Sequence, residues 1–333
     1  MTGSGPRRAA RLALAAIAAA AATGAPAYER SRGALCDTCL HWSPLAPLAG
    51  APWELRYVVH RGGSRSTSCA GAAGLEAVQA SFRTWSEVAC SHLRIGYGGE
   101  TDDGRVGLDG RNLVVFRAGP CDGRVPPTDP CWASGDGACA NAHDCWEGDP
   151  WALATTLVTH HPASGVIYDA DVESNDWGGV AGSLPAAPDA GNPPPDGWYF
   201  TCDPPPGGTS VPPVCNAYGE TGCAYADLQN TVTHEAGHVL GLAHPYSPDT
   251  ATATMWAYAD LGEIVKRDLD PDDVNGLCAI YPAGQAPTSC PGLDRPECQT
   301  SGCGCRSGAE GGLGLAALLL AALFPRRRTS GRV

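Results

Sequence analysis

Along residues 53–60, Trp-Glu-Leu-Arg-Tyr-Val-Val-His, apolar and polar side chains alternate and β-branched and aromatic residues dominate, the pattern of a half-buried strand. From Leu75 the apolar positions Leu75, Val78, Phe82, Trp85 and Val88 recur at intervals of three and four, which predicts a helix with one buried face through about Cys90. Residues 94–97 and 112–116 are the next strand candidates, and residues 152–157 and 165–172 read as two more around a short turn. This order predicts an α+β fold with an α/β-like upper half, built on a twisted, mostly parallel sheet.

Two stretches break the periodicity. Residues 118–150 hold Cys121, Cys131, Cys139 and Cys145 among Gly, Pro and Asp, and read as an irregular excursion stapled by disulfides. A zinc knuckle is the alternative, but no C-x-x-C pair occurs there. Residues 178–222 contain 10 Pro and 9 Gly, too many for a regular element, and read as a long loop closed by Cys202 and Cys215.

The two ends change the picture. Residues 1–27 carry Arg7, Arg8 and Arg11, an apolar run from Leu12 to Ala22, and Ala25-Pro26-Ala27 as a small-x-small cleavage site, the layout of a secretory signal peptide. Mature protein is expected to begin near Tyr28. At the other end Ser301-Gly302-Cys303-Gly304-Cys305 precedes an apolar stretch from Gly311 to Phe324, followed by Arg326-Arg327-Arg328. Sixteen cysteines, 43 Gly and 29 Pro point to an oxidising compartment. The net charge is −13, and between Tyr28 and Cys305 there are 34 acidic residues against 14 basic ones, of which Lys266 is the single lysine of the chain. That excludes a nucleic-acid-binding surface and leaves carboxylates available for calcium.

The chemistry is concentrated after the long loop, in Asp227-Leu228-Gln229-Asn230-Thr231-Val232-Thr233-His234-Glu235-Ala236-Gly237-His238-Val239-Leu240-Gly241-Leu242-Ala243-His244. Asp227 is a candidate N-cap, and Leu228, Val232, Ala236 and Val239 share one face of the helix it starts. His234 and His238, one turn apart, project together and can reach one zinc ion at about 2.0–2.1 Å. Gly241 can take the positive φ that ends the helix and turns the chain, so that His244 returns as the third ligand. Three neutral ligands leave a fourth position for water, and Glu235 beside it can take the proton, which assigns peptide-bond hydrolysis. A structural zinc has no use for that glutamate.

The motif from His234 to His244 resembles that of the metzincin clan of zinc endopeptidases, His-Glu-x-x-His-x-x-Gly-x-x-His. Met255, in Ala253-Thr254-Met255-Trp256, stands where the clan's methionine turn is expected beneath the metal. Asp272-Asp273-Val274-Asn275-Gly276-Leu277-Cys278-Ala279-Ile280-Tyr281 is similar to the closing helix of the matrixin, or matrix-metalloproteinase-like, branch, in which one of the paired aspartates braces the methionine turn; Asp273 is the candidate. Trp85-Ser86-Glu87-Val88 and Ile167-Tyr168-Asp169-Ala170-Asp171 also look similar, so that the resemblance spans roughly residues 53–282. It implies a metzincin-type domain with a zinc-binding active-site helix, a methionine turn and a C-terminal helix. The last 33 residues resemble the C-terminal sorting tail of myxobacterial surface proteins, which implies processing near Cys303 or Cys305 and display at the outer membrane or cell surface.

The chain departs from that pattern in places. No latency motif lies between Tyr28 and the first strand, and Cys36 and Cys39 are expected in disulfides. Tyr258, three residues after Met255, matches no family position. His160 and His161 lack the spacing of a second zinc site and are expected at the surface. Asp169, Asp171 and Glu173 alternate along a strand and can hold Ca2+, as the family's equivalent loop does. The expected organisation is a signal peptide over 1–27, a catalytic domain over 28–284 with inserts 118–150 and 178–222, a Cys-containing linker over 285–305 and a sorting tail over 306–333. The expected activity is that of an exported, monomeric zinc endopeptidase with Zn2+ as its cofactor. It takes an extended protein or peptide substrate as an added strand at the edge near Ile167–Val172. The alternatives are a silent zinc-fold binding or adhesin protein, favoured if the 178–222 loop occludes the cleft, and a zinc amidase acting on cell-wall peptides.

Overall fold

The computed structural model describes residues 27–43, 54–135, 137–176, 197–203, 212–290, 292, 298 and 313–316. The leader, residues 178–196 and 204–211 of the long loop, Cys303, Cys305 and the Arg cluster lie outside the described residues.

The elements in chain order are β1 (Glu29–Arg30), β2 (His41–Trp42), β3 (Glu54–His60), α1 (Ala72–Ser86), β4 (Arg94–Thr101), β5 (Asn112–Ala118), α2 (Ala138–His143), β6 (Ala154–His160), β7 (Val166–Asp176), β8 (Phe200–Thr201), β9 (Ala226–Asp227), α3 (Leu228–Val239), β10 (Leu242–Ala243), α4 (Pro271–Ile280) and β11 (Leu313–Ala316). The main sheet runs β11-β6-β7-β5-β3-β4. β4, β3, β5 and β7 are parallel, with α1 as the crossover between β3 and β4, and β6 is antiparallel to β7. This is the α+β layer with a mostly parallel sheet that the periodicities predict.

The core lies between the sheet and helices α1 and α3. Phe82 and Trp85 of α1, Val232 and Ala236 of α3, and Val114, Phe116 and Val172 of the sheet belong to one buried cluster. The Phe82 ring stacks on Tyr57 of β3 with centroids 3.9 Å apart. Burying each large apolar side chain in such a cluster contributes about 1.5–3 kcal/mol. α1 stops at Ser86, short of the predicted end, and Cys90 beyond it is joined to Cys278 of α4.

Two expectations change. β7 is not an edge: β6 pairs with it on one side, and β5 and β2 on the other. The strand lying outside β7 is β6. Cys202 and Cys215 do not close the long loop together, because Cys202 pairs with Cys69 and Cys215 with Cys223. The 118–150 excursion is stapled as expected, by Cys121–Cys145 and Cys131–Cys139, and contains the short helix α2.

The N-terminal segment is tied into the domain. β1 pairs with β10, and the Ala27 and Tyr28 N–H groups donate to Asp272 Oδ1 at 3.1 and 3.0 Å. Cys36 and Cys39 are in disulfides with Cys298 and Cys290, so residues of the predicted linker are bolted to the segment that precedes the sheet.

Candidate metal centre

α3 starts as its sequence dictates. The Asp227 carboxylate accepts the Asn230 N–H at 2.8 Å, satisfying an otherwise unpaired donor of the first turn, and also accepts Arg267 Nε at 2.8 Å. Of its twelve residues only Gln229 is not buried, so the helix is enclosed rather than amphipathic. α1 and the sheet cover one side, and the turn at Val265–Arg267 and the segment around Met255 cover the rest.

His234 and His238 project from α3, which ends at Val239, two residues before Gly241. Gly241 has φ +89°, and a Cβ there would lie 2.6 Å from the Leu40 carbonyl oxygen, so both backbone conformation and close approach require glycine. The chain then reverses through β10, pinned by β1, and brings His244 back. The three Nε2 atoms converge, with His234 to His244 at 3.0 Å and His238 to each of the others at 3.2 Å. His234 Nδ1 lies 2.6 Å from the Thr254 carbonyl and His238 Nδ1 lies 2.7 Å from the Leu242 carbonyl. Each Nδ1–H therefore donates outward, which leaves the Nε2 lone pair facing the other rings.

All three imidazoles are buried, and burial is the first cause that holds them below their ordinary range, His238 at about 4. At neutral pH they are uncharged, so three lone pairs are held together with no proton to share. A tetrahedral ion with Zn–N of about 2.0–2.1 Å spaces its nitrogens about 3.3–3.4 Å apart. The donor set and its spacing fit zinc. A second cluster, Asp129, Cys131 and His143, does not, because the Cys131 sulfur is in a disulfide.

Glu235 is fully buried. Its Oε2 accepts the Thr156 hydroxyl of β6 at 2.6 Å, while Oε1 has no hydrogen-bond partner among the described residues. Burial pushes its carboxyl up to about 7, against the opposing pull of the Thr156 hydroxyl and the Lys266 ammonium. A carboxyl so placed can exchange a proton near neutrality.

Met255 lies under the helix. A Cβ on Gly237 would come within 2.2 Å of Met255 Sδ and 2.9 Å of the Trp85 ring, so glycine at this position is what lets the methionine approach. Trp85 Nε1 in turn donates to the Thr233 carbonyl at 2.8 Å. Asp273, in the first turn of α4, accepts the Thr254 N–H at 2.6 Å and the Met255 N–H at 3.0 Å, and closes the α4 cap through the Asp270 N–H at 3.0 Å. It therefore fixes the turn that carries the His234 acceptor.

The other predicted residues fall elsewhere. Asp169 and Asp171 are buried: Asp169 accepts the Asp109 and Gly110 amides through Oδ2 alone, and Asp171 accepts the Gly107 and Leu113 amides through both oxygens. Burial, followed by the neighbouring Asp169 carboxylate, pushes Asp171 up to about 8. Glu173 accepts Arg117 Nε at 2.6 Å. His160 is buried, not at the surface, because residues 33–38 cover that end of β6; His161 is half-buried. Tyr258 contributes its carbonyl, which accepts Lys266 Nζ at 2.5 Å.

Thr156 and Lys266 carried no signal in the sequence. Thr156 sits in a β-branched run that reads only as a strand, and Lys266 beside Arg267 reads as a solvated pair. Lys266 is in fact buried, with Glu263 Oε1 at 3.3 Å, and its charge acts on His234, His244 and Glu235.

Comparison with known proteins agrees with this geometry. The matrixin family model matches residues 140–282, from within the stapled excursion through α4. Interstitial collagenase of Bos taurus is 38% identical over 71 residues, which are 21% of this chain and 14% of that protein. The chain thus spans about one seventh of the length of the curated relative it matches. Over residues 140–282, the stretch holding β6, β7, the three imidazoles and Met255, the chain is similar to the matrixins.

Proposed function

We propose that this chain is an exported zinc endopeptidase that hydrolyses peptide bonds in extended protein substrates, with His234, His238 and His244 as zinc ligands and Glu235 as general base. The observation that carries the reading is the convergence of three neutral Nε2 atoms beside a buried carboxylate whose Oε1 has no protein partner. When bound, zinc supplies Lewis acidity at the scissile carbonyl and makes water more acidic. Glu235 accepts the water proton as the oxygen attacks the carbonyl carbon, and passes it to the departing amine nitrogen as the C–N bond breaks. Thr156 holds Oε2 so that Oε1 is the atom that moves the proton. Met255, Asp273 and Gly241 hold the ligands and do not touch the reacting atoms. Seven disulfides among the described residues support an extracellular setting, and the signal peptide and sorting tail complete the proposal of surface display. Calcium narrows to Asp169, whose buried Oδ1 has no partner, and a rise in thermal stability on calcium addition that is absent in Asp169→Asn is its test.

The deciding assay incubates the purified chain with denatured protein, with and without a zinc chelator, beside Glu235→Ala. Cleavage that the chelator stops and zinc restores, and that Glu235→Ala lacks while still binding zinc, supports the proposal. Full activity in Glu235→Ala overturns the role of that carboxylate.

A further inference from the structure

His244 hangs on a short strand with one strand partner among the described residues. β10 pairs with β1, Arg30 opposite Leu242 and Glu29 opposite Ala243. Beside that pair, the Ser31 N–H donates to the Gly241 carbonyl at 2.9 Å and the Ser31 hydroxyl donates to the Leu242 carbonyl at 2.7 Å. The Leu242 carbonyl is also the acceptor for His238 Nδ1. The N-terminal segment thus fixes both the acceptor that orients His238 and the strand that delivers His244.

That segment folds back on itself as a hairpin. The Leu40 N–H donates to the Ser31 carbonyl at 2.8 Å and the Gly33 N–H to the Thr38 carbonyl at 2.9 Å. The returning arm sets the Leu40 carbonyl against Gly241 and sends Trp42 Nε1 to the Val239 carbonyl at 2.8 Å. A two-stranded hairpin is only marginally stable by itself. Two covalent bonds anchor this one to the chain beyond α4. Cys39, opposite Arg32 in the hairpin, is bonded to Cys290, and Cys36 at its tip is bonded to Cys298. Their sequence separations of 251 and 262 residues mean that, without the bridges, the two segments meet only through the folded domain.

We infer that the hairpin of residues 29–42 is a positioning element of the metal centre, locked by its two disulfides, so that the three-imidazole site reaches full zinc affinity only after Cys36–Cys298 and Cys39–Cys290 have formed. Each bridge forms by exchange with a disulfide-bearing oxidant: two thiols give up two protons and two electrons, and the oxidant leaves as a dithiol. In reducing surroundings the chain then holds zinc weakly, and an oxidising compartment completes the site. This keeps the protein quiet before export with no latency motif ahead of the first strand. That consequence rests on the endopeptidase and export readings, whereas the effect on zinc affinity does not.

The test compares the full chain with a fourfold variant, Cys36→Ser, Cys39→Ser, Cys290→Ser and Cys298→Ser, and with a control, Cys131→Ser with Cys139→Ser, that opens a bridge of the 118–150 excursion. Substitution replaces reductant here, because a reductant opens every bridge and free thiolates themselves bind metal. Competition with a chromophoric chelator is expected to show zinc held at least about tenfold more weakly by the fourfold variant and unchanged in the control. At saturating cobalt(II), the visible absorption of the fourfold variant is expected to be weaker than that of the other two, since water replaces an imidazole that is no longer held. Amide exchange should quicken at residues 241–244 while α1 and β5 stay unchanged and report an intact fold. Parent-like zinc affinity in the folded fourfold variant overturns the inference, and so does an equal loss in the control. If the fourfold variant does not fold, Ser31→Ala decides, since it keeps every bridge: an affinity at least about threefold weaker supports the positioning role, and a parent-like one overturns it. None of these measurements needs turnover. A chain that binds zinc as expected and cleaves nothing fails the endopeptidase reading and leaves this one standing.

Discussion

The Thr156 hydroxyl on β6 donates to Glu235 Oε2 on α3 at 2.6 Å, a contact between two residues 79 positions apart that ties the sheet to the metal-binding helix. Replacing Thr156 with valine keeps the strand and the shape but removes that donor. Hydrogen bonds to charged groups are worth about 1.5–3 kcal/mol, so kcat/KM is expected to fall about ten- to a hundredfold. The same bond favours the ionised carboxylate, so its loss moves the acid limb of the pH–rate profile to higher pH. Steady-state kinetics from pH 5 to 9 check both.

Gly237→Ala places a methyl group against Met255 Sδ and the Trp85 ring. Both neighbours are buried, so neither can swing out into solvent. Overpacking of this kind costs about 1–3 kcal/mol. The expected result is a lower midpoint of thermal unfolding in the metal-free chain, with a further loss of zinc affinity because the methionine segment also carries the acceptor for His234.

Gly241→Ala acts on the turn between His238 and His244. The positive φ costs about 1–3 kcal/mol for a residue with a Cβ, and the Leu40 carbonyl stands in the way. Zinc titration of the purified variant is expected to show weakened binding even where circular dichroism shows α3 retained.

Asp273→Asn retains the side-chain shape but offers one acceptor oxygen where the carboxylate uses two for three N–H groups. Leaving buried donors unsatisfied costs about 1–3 kcal/mol each. Chemical unfolding should place the variant at least about 2 kcal/mol below the parent, and Asp272→Asn, whose carboxylate binds only the N-terminal segment, well above it.

The three imidazoles should make the metal-free chain less stable as the pH falls, while the raised carboxyls of Glu235 and Asp171 act in the opposite direction. Burial holds His234, His238 and His244 below their ordinary value of 6.5, His238 at about 4, so below about pH 6.5 the unfolded chain takes up protons that the folded chain refuses. Stability conferred by keeping these rings neutral is therefore complete above that pH and declines between about 6.5 and 4. Denaturant midpoints of the chelated protein and of its His238→Gln variant at pH 7.5, 6 and 5 isolate the imidazole part; a difference between the two proteins that does not narrow on acidification contradicts it.

What the sequence made legible was local. The period of α1, the alternation of β3, the turn between β6 and β7 and the spacing of the imidazoles all depend on residues within a few positions of one another, and the structure has those elements. Non-local relationships were not legible. Nothing in residues 152–172 says which of two adjacent strands lies farther out, and in the structure β6 covers the side of β7 that the sequence left open. Cys202 and Cys215 flank one loop, yet each pairs with a cysteine outside the expected closure, because pairing follows proximity in space. The carboxylates of β7 alternate like solvent-facing groups, but loop amides at residues 107–113 and Arg117 fold over them.

Lys266 is the chain's single lysine, and its ammonium is sealed beneath the metal helix. Reagents that react with lysine ammonium groups, including common crosslinkers, fluorophore esters and activated resins, therefore find no exposed side chain to couple to on the folded protein.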